Sequence, residues 1–245
     1  MRLEADLHTH TWASGHAYSS VDEIAQAAQM KGLKIVGITD HGPNMPGGPH
    51  RYYFNNIRVI PSHIYGVRVL RGIEANIIDA AGNIDVQDSI LEKLDLVLAG
   101  LHGGTDYQGA AAEDHTKAMI NAIKNPYVHM IVHPGNPAFP IDFEAVVKAA
   151  KKHEKALEIN DSSFRTSRPG SLPRCQEIAR RAADEGIWVS VNSDAHYHSH
   201  VGQCEIALKT ALEAGIAPEK IINLSSKRVE EYIAVNRKRR EGKAV

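Results

Sequence analysis

Cysteine is nearly absent from this chain, and so are several other features that would assign it to a class. Two cysteines, Cys175 and Cys204, cannot build a disulfide framework and suit a reducing cytosol, so a cytoplasmic location is the expectation. No charge of one sign dominates: 28 basic residues stand against 29 acidic ones and the isoelectric point is near 6.9. That balance excludes a global field directed at nucleic acid or a membrane surface. No apolar run approaches the roughly 18 residues of a membrane span. No secretory leader is expected either, because Met1 runs almost directly into a strand that carries candidate ligands. Aromatic residues make up 6% of the chain, with no stacking run of the kind that reads single strands. Linkers, low-complexity stretches and internal repeats are missing as well. Histidine is what the chain has in abundance: fourteen residues, more than the eight tyrosines and four phenylalanines together.

Short runs rich in Val, Ile and Leu recur at 3–8, 34–39, 67–73, 95–101, 128–133, 156–160 and 187–193. Such runs are expected of parallel strands buried on both faces. Segments of helical spacing intervene at 20–32, 54–65, 114–124, 141–152 and 171–185, and the tail from 201 to 239 reads as helical with a break at Gly215–Pro218. Ser20 and Glu23 form a capping box for the first helix, which Gly32 ends. Strict alternation implies a parallel sheet with right-handed crossovers. Metal-binding residue types follow six of the seven strands, always at the carboxyl end. Across an open sheet, at about 4.8 Å per strand, edge and centre would lie too far apart to share one site. A closed barrel gathers every carboxyl end onto one rim. The expected fold is therefore α/β, a distorted TIM-like barrel of seven (βα) units in a single domain over 1–245.

Nine residues carry the chemistry. His8 and His10 follow the first strand and His16 lies in the next loop. His41, Glu74, His102 and His133 end four further strands, and Asp194 and His196 follow the last. Imidazole and carboxylate are the ligands zinc, manganese and iron prefer. Alternation along the first strand predicts that Asp6, His8 and His10 all face inward. Nine donors are too many for one ion; three ions with three protein ligands each use them fully. A carboxylate can join two ions where a neutral imidazole cannot, so Glu74 is the natural bridge. Such a cluster acidifies water to hydroxide and clamps phosphoryl oxygens, which makes Glu74 and Asp194 the expected catalytic carboxylates. Asp6 and Asp40 are expected to orient imidazoles, with turn capping as the alternative. The loop Asn160–Arg168 offers Arg168, then Arg165 and Ser162, as phosphate contacts, with a plain solvated loop as the alternative. His50 and Arg51 belong to a lid or to a plain surface loop. His63, His115 and His153 are expected on solvent-facing helix surfaces, His129 at a strand start away from the rim, and His198 and His200 beyond the strand end. The basic run Arg237–Arg240 suits a solvated helix C-terminus better than a nucleic-acid contact.

Asp6-Leu7-His8-Thr9-His10, Ile38-Thr39-Asp40-His41-Gly42-Pro43, Gly72-Ile73-Glu74-Ala75-Asn76, His133-Pro134-Gly135-Asn136-Pro137 and Asn192-Ser193-Asp194-Ala195-His196 together resemble the PHP (polymerase and histidinol phosphatase) family. The resemblance is strongest to its bacterial YcdX-like phosphatase branch and runs through essentially the whole chain. It implies a distorted seven-stranded barrel, three zinc ions per chain, phosphatase activity on a small phosphorylated substrate, and a homotrimer. It further implies His8, His10, Glu74 and Asp194 at one ion, His16, His41 and His196 at a second, and Glu74, His102 and His133 at a third. One local departure is Leu101-His102-Gly103-Gly104-Thr105, where the branch carries bulkier residues after the histidine.

The leading expectation is a phosphomonoesterase. A phosphodiesterase or nuclease using the same ions is the alternative, and the missing basic groove counts against it. Amidohydrolase barrels also open with His-x-His but carry a metal-bridging lysine; here Lys34 begins its strand and no strand ends in lysine. A metal store is the non-enzymatic reading.

Overall fold

The structure is a computed structural model that describes residues 1–165 and 167–242. Eight strands form among them: β1 (Ala5–Thr9), β2 (Ile35–Ile38), β3 (His63–Ile64), β4 (Val67–Asn76), β5 (Leu96–Gly100), β6 (Met130–Ile131), β7 (Ala156–Asn160) and β8 (Val189–Asn192). Seven run parallel in the order β1-β2-β4-β5-β6-β7-β8, and the short β3 pairs antiparallel with β4 outside that path. The helices are α1 (Val21–Met30), α2 (Arg51–Asn56), α3 (Asp88–Leu91), α4 (Ala112–Lys124), α5 (Phe143–His153), α6 (Ser162–Arg165), α7 (Ser171–Glu185), α8 (Glu205–Glu213) and α9 (Ser226–Arg240). The alternation closes the sheet almost completely into the expected distorted barrel.

Local chemistry explains most boundaries. The capping box of α1 is present: Ser20 Oγ accepts from the Glu23 amide while Glu23 accepts from the Ser20 amide. Gly32 then takes a positive φ of 69°, a conformation open to a residue without Cβ. The helix expected over 54–65 is much shorter. After α2 comes a single 3-10 turn, Ile57–Val59, because Pro61 offers no amide and steers Ile60 to extended backbone. The chain then enters β3, so His63 sits on an exposed strand rather than a helix. In the tail, α8 and α9 are separated by the longer stretch 214–225, which holds two 3-10 turns, Pro218–Lys220 and Ile222–Leu224.

Two apolar layers enclose the strands. The outer one packs helices on strands. The inner one fills the lower barrel with Leu7, Leu70, Leu98 and Met130, and Val229 and Ile233 of α9 cap it from below. Burying a Leu or Ile side chain is worth about 1.5–3 kcal/mol, so this base anchors the rim above it.

The pairing of β1 with β2 slips between Asp6 and Thr9. This bulge breaks the simple alternation. Leu7 lies in the inner apolar cluster, and His8 joins His10 in the polar rim above it. Asp6 is turned the other way, accepting from Ser193 N, Ser193 Oγ and Gly202 N. The inward orientation expected for Asp6 is thus corrected. Gly37 permits the slip: a Cβ there would lie 2.6 Å from Leu7 O. Bulges beside functional sites re-aim side chains in this way.

Closure between β1 and β8 uses a side chain. Asn223 accepts from Val191 N at 3.0 Å and donates to the carbonyls of Ala5 and Val191, standing in for ladder bonds. A single parallel bridge, Thr9 to Ala195, closes the rim itself.

Candidate metal centre

The nine residues expected from the sequence converge at the carboxyl end of the barrel. Glu74, at the end of β4, is fully buried at the centre. Its Oε1 lies 2.8 Å from His133 Nε2, 3.0 Å from His102 Nε2 and 3.4 Å from His8 Nε2. Its Oε2 lies 2.7 Å from His41 Nδ1 and 3.4 Å from His10 Nε2. Asp194 Oδ1 lies 3.1 Å from His10 Nε2 and 3.5 Å from His8 Nε2. The rings of His16 and His196 complete the outer side, with centroids 4.9 Å (His16–His41), 5.0 Å (His16–His196) and 5.8 Å (His41–His196) apart. His16 is exposed and His196 half-buried, whereas the other seven are buried.

These donor atoms fit metal ions. His8 Nε2, His10 Nε2, His41 Nδ1, Glu74 Oε2 and Asp194 Oδ1 are buried without a hydrogen-bond partner; His102 turns its Nε2 to Glu74. Orphaned buried polar atoms are costly unless something binds them. A tetrahedral ion about 2.0–2.1 Å from each donor sets donors about 3.4 Å apart, and the 3.1–3.5 Å spacings around His8, His10 and Asp194 match that edge. Three triads have donors within 4.8 Å of one another: His8, His10 and Asp194; His10, His41 and His196; and His41, Glu74 and His102. The first lies inside one of the ligand sets implied by the resemblance. The others draw in His10 and His41 where those sets have His16 and His133.

The back sides of the imidazoles fix which nitrogen is free. Glu158, a fully buried residue of β7, accepts from His8 Nδ1 at 2.8 Å, so Nε2 is the nitrogen turned to the centre. Ser14 Oγ donates to Asp40 Oδ1 at 2.7 Å and therefore accepts from His10 Nδ1 at 3.1 Å. His196 Nδ1 donates to the Asp194 carbonyl. Such outer partners set tautomer and ring angle. Asp40 thus acts on His10 through Ser14, and Asp6 touches no imidazole ring.

Glu158 escaped the sequence reading, which assigned no ligand to this strand. The signal was present: an acid in the middle of the apolar run Ala156–Asn160, two residues from Asn160 and so on the same face. Besides His8 it accepts from the His133 amide at 2.8 Å, Asn192 Nδ2 at 2.9 Å and Asn160 Nδ2 at 3.1 Å.

Backbone and charge are both unusual here. His133 and Asp194 hold φ of 34° and 53°, a region that non-glycine residues seldom adopt and that clusters at functional sites. Gly100 leaves room for the His133 ring, since a Cβ would sit 2.7 Å from its Cε1. Burial raises the Glu74 carboxyl, but His41, His102 and His8 outweigh it and hold the group well below the usual range. Burial likewise opposes ionisation of Asp194, and His8 and Arg168 overcome it. Burial, reinforced by His196 and His41, pushes His10 well below its ordinary value; burial and then Arg168 bring His133 to about 4. Both are neutral imidazoles, the form that binds metal.

An open cavity of about 630 Å³ leads to the centre. Arg168 lines it and donates from Nη1 to Asp194 Oδ2 at 3.0 Å and to Ser163 Oγ at 3.1 Å. Ser162 and Ser167 line it too. Arg165 does not: its guanidinium turns away to Asp161 Oδ1 at 2.6 Å and Glu205 Oε2 at 3.1 Å, because two acids on that side pair it more closely than the cavity would. Thr166 in the same loop lies outside the described residues. His200 lines the cavity mouth, whereas His50 caps α2. His115, expected in solvent, is buried and its Nδ1 lies 2.9 Å from the Tyr107 hydroxyl.

Known proteins resemble this chain along most of its length. A PHP domain family model matches residues 6–162. A probable phosphatase of Caldanaerobacter subterraneus subsp. tengcongensis is 51% identical over 239 residues, covering 98% of this chain and 94% of that protein. A probable phosphatase of Acetivibrio thermocellus is 46% identical over 239 residues, covering 98% of each. Among solved structures, the histidinol phosphate phosphatase of Lactococcus lactis subsp. lactis, crystallised with zinc, L-histidinol and phosphate, superposes with a TM-score of 0.65 over 89% of this chain and 95% of that one. At 18% identity that likeness bears on the fold alone. A family model spanning well over half the chain, and relatives near half identical along almost all of it, establish that this chain belongs to the PHP domain family.

Proposed function

We propose that this chain is a metal-dependent phosphatase that hydrolyses a small phosphate monoester at a cluster of three divalent ions. The observation that carries the reading is the clustering of five partnerless buried donor atoms, His8 Nε2, His10 Nε2, His41 Nδ1, Glu74 Oε2 and Asp194 Oδ1, at the end of an open cavity. Its relatives carry the name probable phosphatase. In this reading His8, His10, Glu74 and Asp194 hold one ion, His16, His41 and His196 a second, and Glu74, His102 and His133 a third. Zinc suits the set, and manganese or iron are substitutes that the same donors accept.

Divalent ions held there supply a Lewis acid and an acidified water. The chain's residues do the rest. Glu74 uses one oxygen toward His102 and His133 and the other toward His41, so one carboxylate spans the cluster. Asp194 is held ionised and is steered by Arg168. Arg168 also presents a cation to the cavity, where Ser162 and Ser167 add hydroxyls for phosphoryl oxygens. Seven imidazoles, which carry no negative charge, against two carboxylates would leave the metal-loaded site cationic, which favours an anionic substrate.

This reading takes residues 1–245 as one domain, supported by α9 sealing the barrel base. It places the protein in the cytoplasm, supported by two buried free thiols. It includes a homotrimer on the resemblance alone. The test is Glu74→Gln: metal binding and turnover of an aryl phosphate are both expected to collapse, and near-normal turnover overturns the assignment.

A further inference from the structure

The cavity walls differ in chemistry. Its polar residues Ser162, Ser167 and Arg168 follow β7, beside Asp194. Its apolar residues Met45, Leu101, Ala138 and Phe139 come from the loops after β2, β5 and β6. Those loops are tied together. Asn44 Nδ2 donates to Asp106 Oδ2 and Asp106 N donates to Asn44 Oδ1, both at 2.6 Å. Phe139 is braced from behind, edge-on to the buried His115 at 5.4 Å and to Tyr107 at 6.2 Å between ring centroids. The hydrogen bond between Tyr107 and His115 locks that support. The same cavity is also lined by the exposed Gly103, where an added Cβ would meet nothing within 4 Å. The departure noted at Leu101–Thr105 therefore leaves open space beside His102.

Resting on the phosphatase reading above, we infer that the site selects a phosphate ester whose alcohol carries an apolar, ring-sized group, seated in the part of the cavity lined by Met45, Leu101, Phe139 and Gly103. A braced aromatic ring with apolar neighbours and open space in the same cavity form the recognition chemistry for such a group. Arg168 and the ions take the phosphoryl end.

The test compares 2-phenylethylphosphonate with ethylphosphonate, which share a head group and differ in the ring, as ligands of the metal-loaded protein by calorimetry. Hydrolysis of the two matching phosphate esters is followed in parallel; both have alkoxide leaving groups of similar basicity. Burying about half of a phenyl ring predicts a preference of about tenfold for the ring-bearing ligand. Gly103→Val fills the space without strain, because Gly103 is not at positive φ, and is expected to bring the affinity ratio close to one. Phe139→Ala is expected to lower the same ratio. Equal affinities in the parent protein, or a ratio unchanged by Gly103→Val, overturn the inference while hydrolysis of both esters keeps the phosphatase reading. No binding of either phosphonate and no hydrolysis of either ester overturn both.

Discussion

Replacing Glu158 with glutamine removes one charge and changes almost no volume, yet the structure predicts a large effect. Each carboxylate oxygen accepts two hydrogen bonds: Oε1 from His8 Nδ1 and Asn192 Nδ2, Oε2 from the His133 amide and Asn160 Nδ2. A glutamine has one acceptor end, so its NH₂ must face two of these donors. The neighbours cannot flip to compensate. Asn160 Oδ1 accepts from Ser163 N and Oγ, and Asn192 Oδ1 accepts from Leu7 N and Ser190 Oγ. With the NH₂ toward Oε2, the backbone amide of His133 is stranded at a residue already held at positive φ. With it toward Oε1, His8 must present a lone pair at Nδ1 and a proton at Nε2, and it can no longer serve as the ligand proposed above. Two buried donors left unpaired cost about 2–6 kcal/mol at about 1–3 kcal/mol each. Disturbing an outer partner of a ligating histidine costs about 10–100-fold in metal affinity. Urea unfolding of the metal-free protein measures the first quantity, and competition against a coloured chelator measures the second. A Glu158→Gln protein within about 0.5 kcal/mol of the parent, with unchanged metal affinity, would refute the reasoning.

Three further expectations follow from particular contacts. Arg168→Met should raise KM for an aryl phosphate by about tenfold or more, as expected for loss of a charged hydrogen-bond donor, in steady-state assays. Arg165→Ala should move KM less than about twofold, because its guanidinium is paired with Asp161 and Glu205 and does not line the cavity. His129, buried beneath α9 and accepting from Val97 N, is brought to about 3, first by burial and then by Lys155, Arg240 and Arg237. An unfolded histidine titrates near 6.5, so the unfolded chain binds the extra proton between pH 6.5 and about 3. Stability from this group is complete above 6.5 and declines as pH falls through that window, by up to about 1.4 kcal/mol per unit. In urea titrations between pH 4 and 7, His129→Gln should have the shallower dependence, and an equal slope in both proteins would contradict the assignment.

Much of the barrel was legible because buried parallel strands carry a simple signature, and each of the seven runs became a strand of the closed path. The rim was legible because imidazoles and acids at the ends of apolar runs have few other reasons to be there. What escaped the sequence were interactions set by register and by long-range contact. The slip between Asp6 and Thr9 reverses the side that Asp6 faces, and only the approach of Leu7 to Gly37 reveals it. Glu158 was hidden because a lone acid within a strand reads as a flaw until His8 and His133 are placed beside it. Arg165 and Arg168 share one loop, with Arg168 the favoured phosphate contact, and the acids Asp161 and Glu205, one of them 40 residues away, are what turn Arg165 aside. His115 looked solvent-facing from helical spacing, yet Tyr107 and Phe139 fold over it.

Metal content per chain, determined by plasma mass spectrometry on the sample assayed for phosphate release, tests the central claim most directly. The account predicts close to three divalent ions per chain and turnover that a chelator abolishes and added zinc or manganese restores. One ion or none in protein offered both metals, or turnover indifferent to chelation, would contradict it.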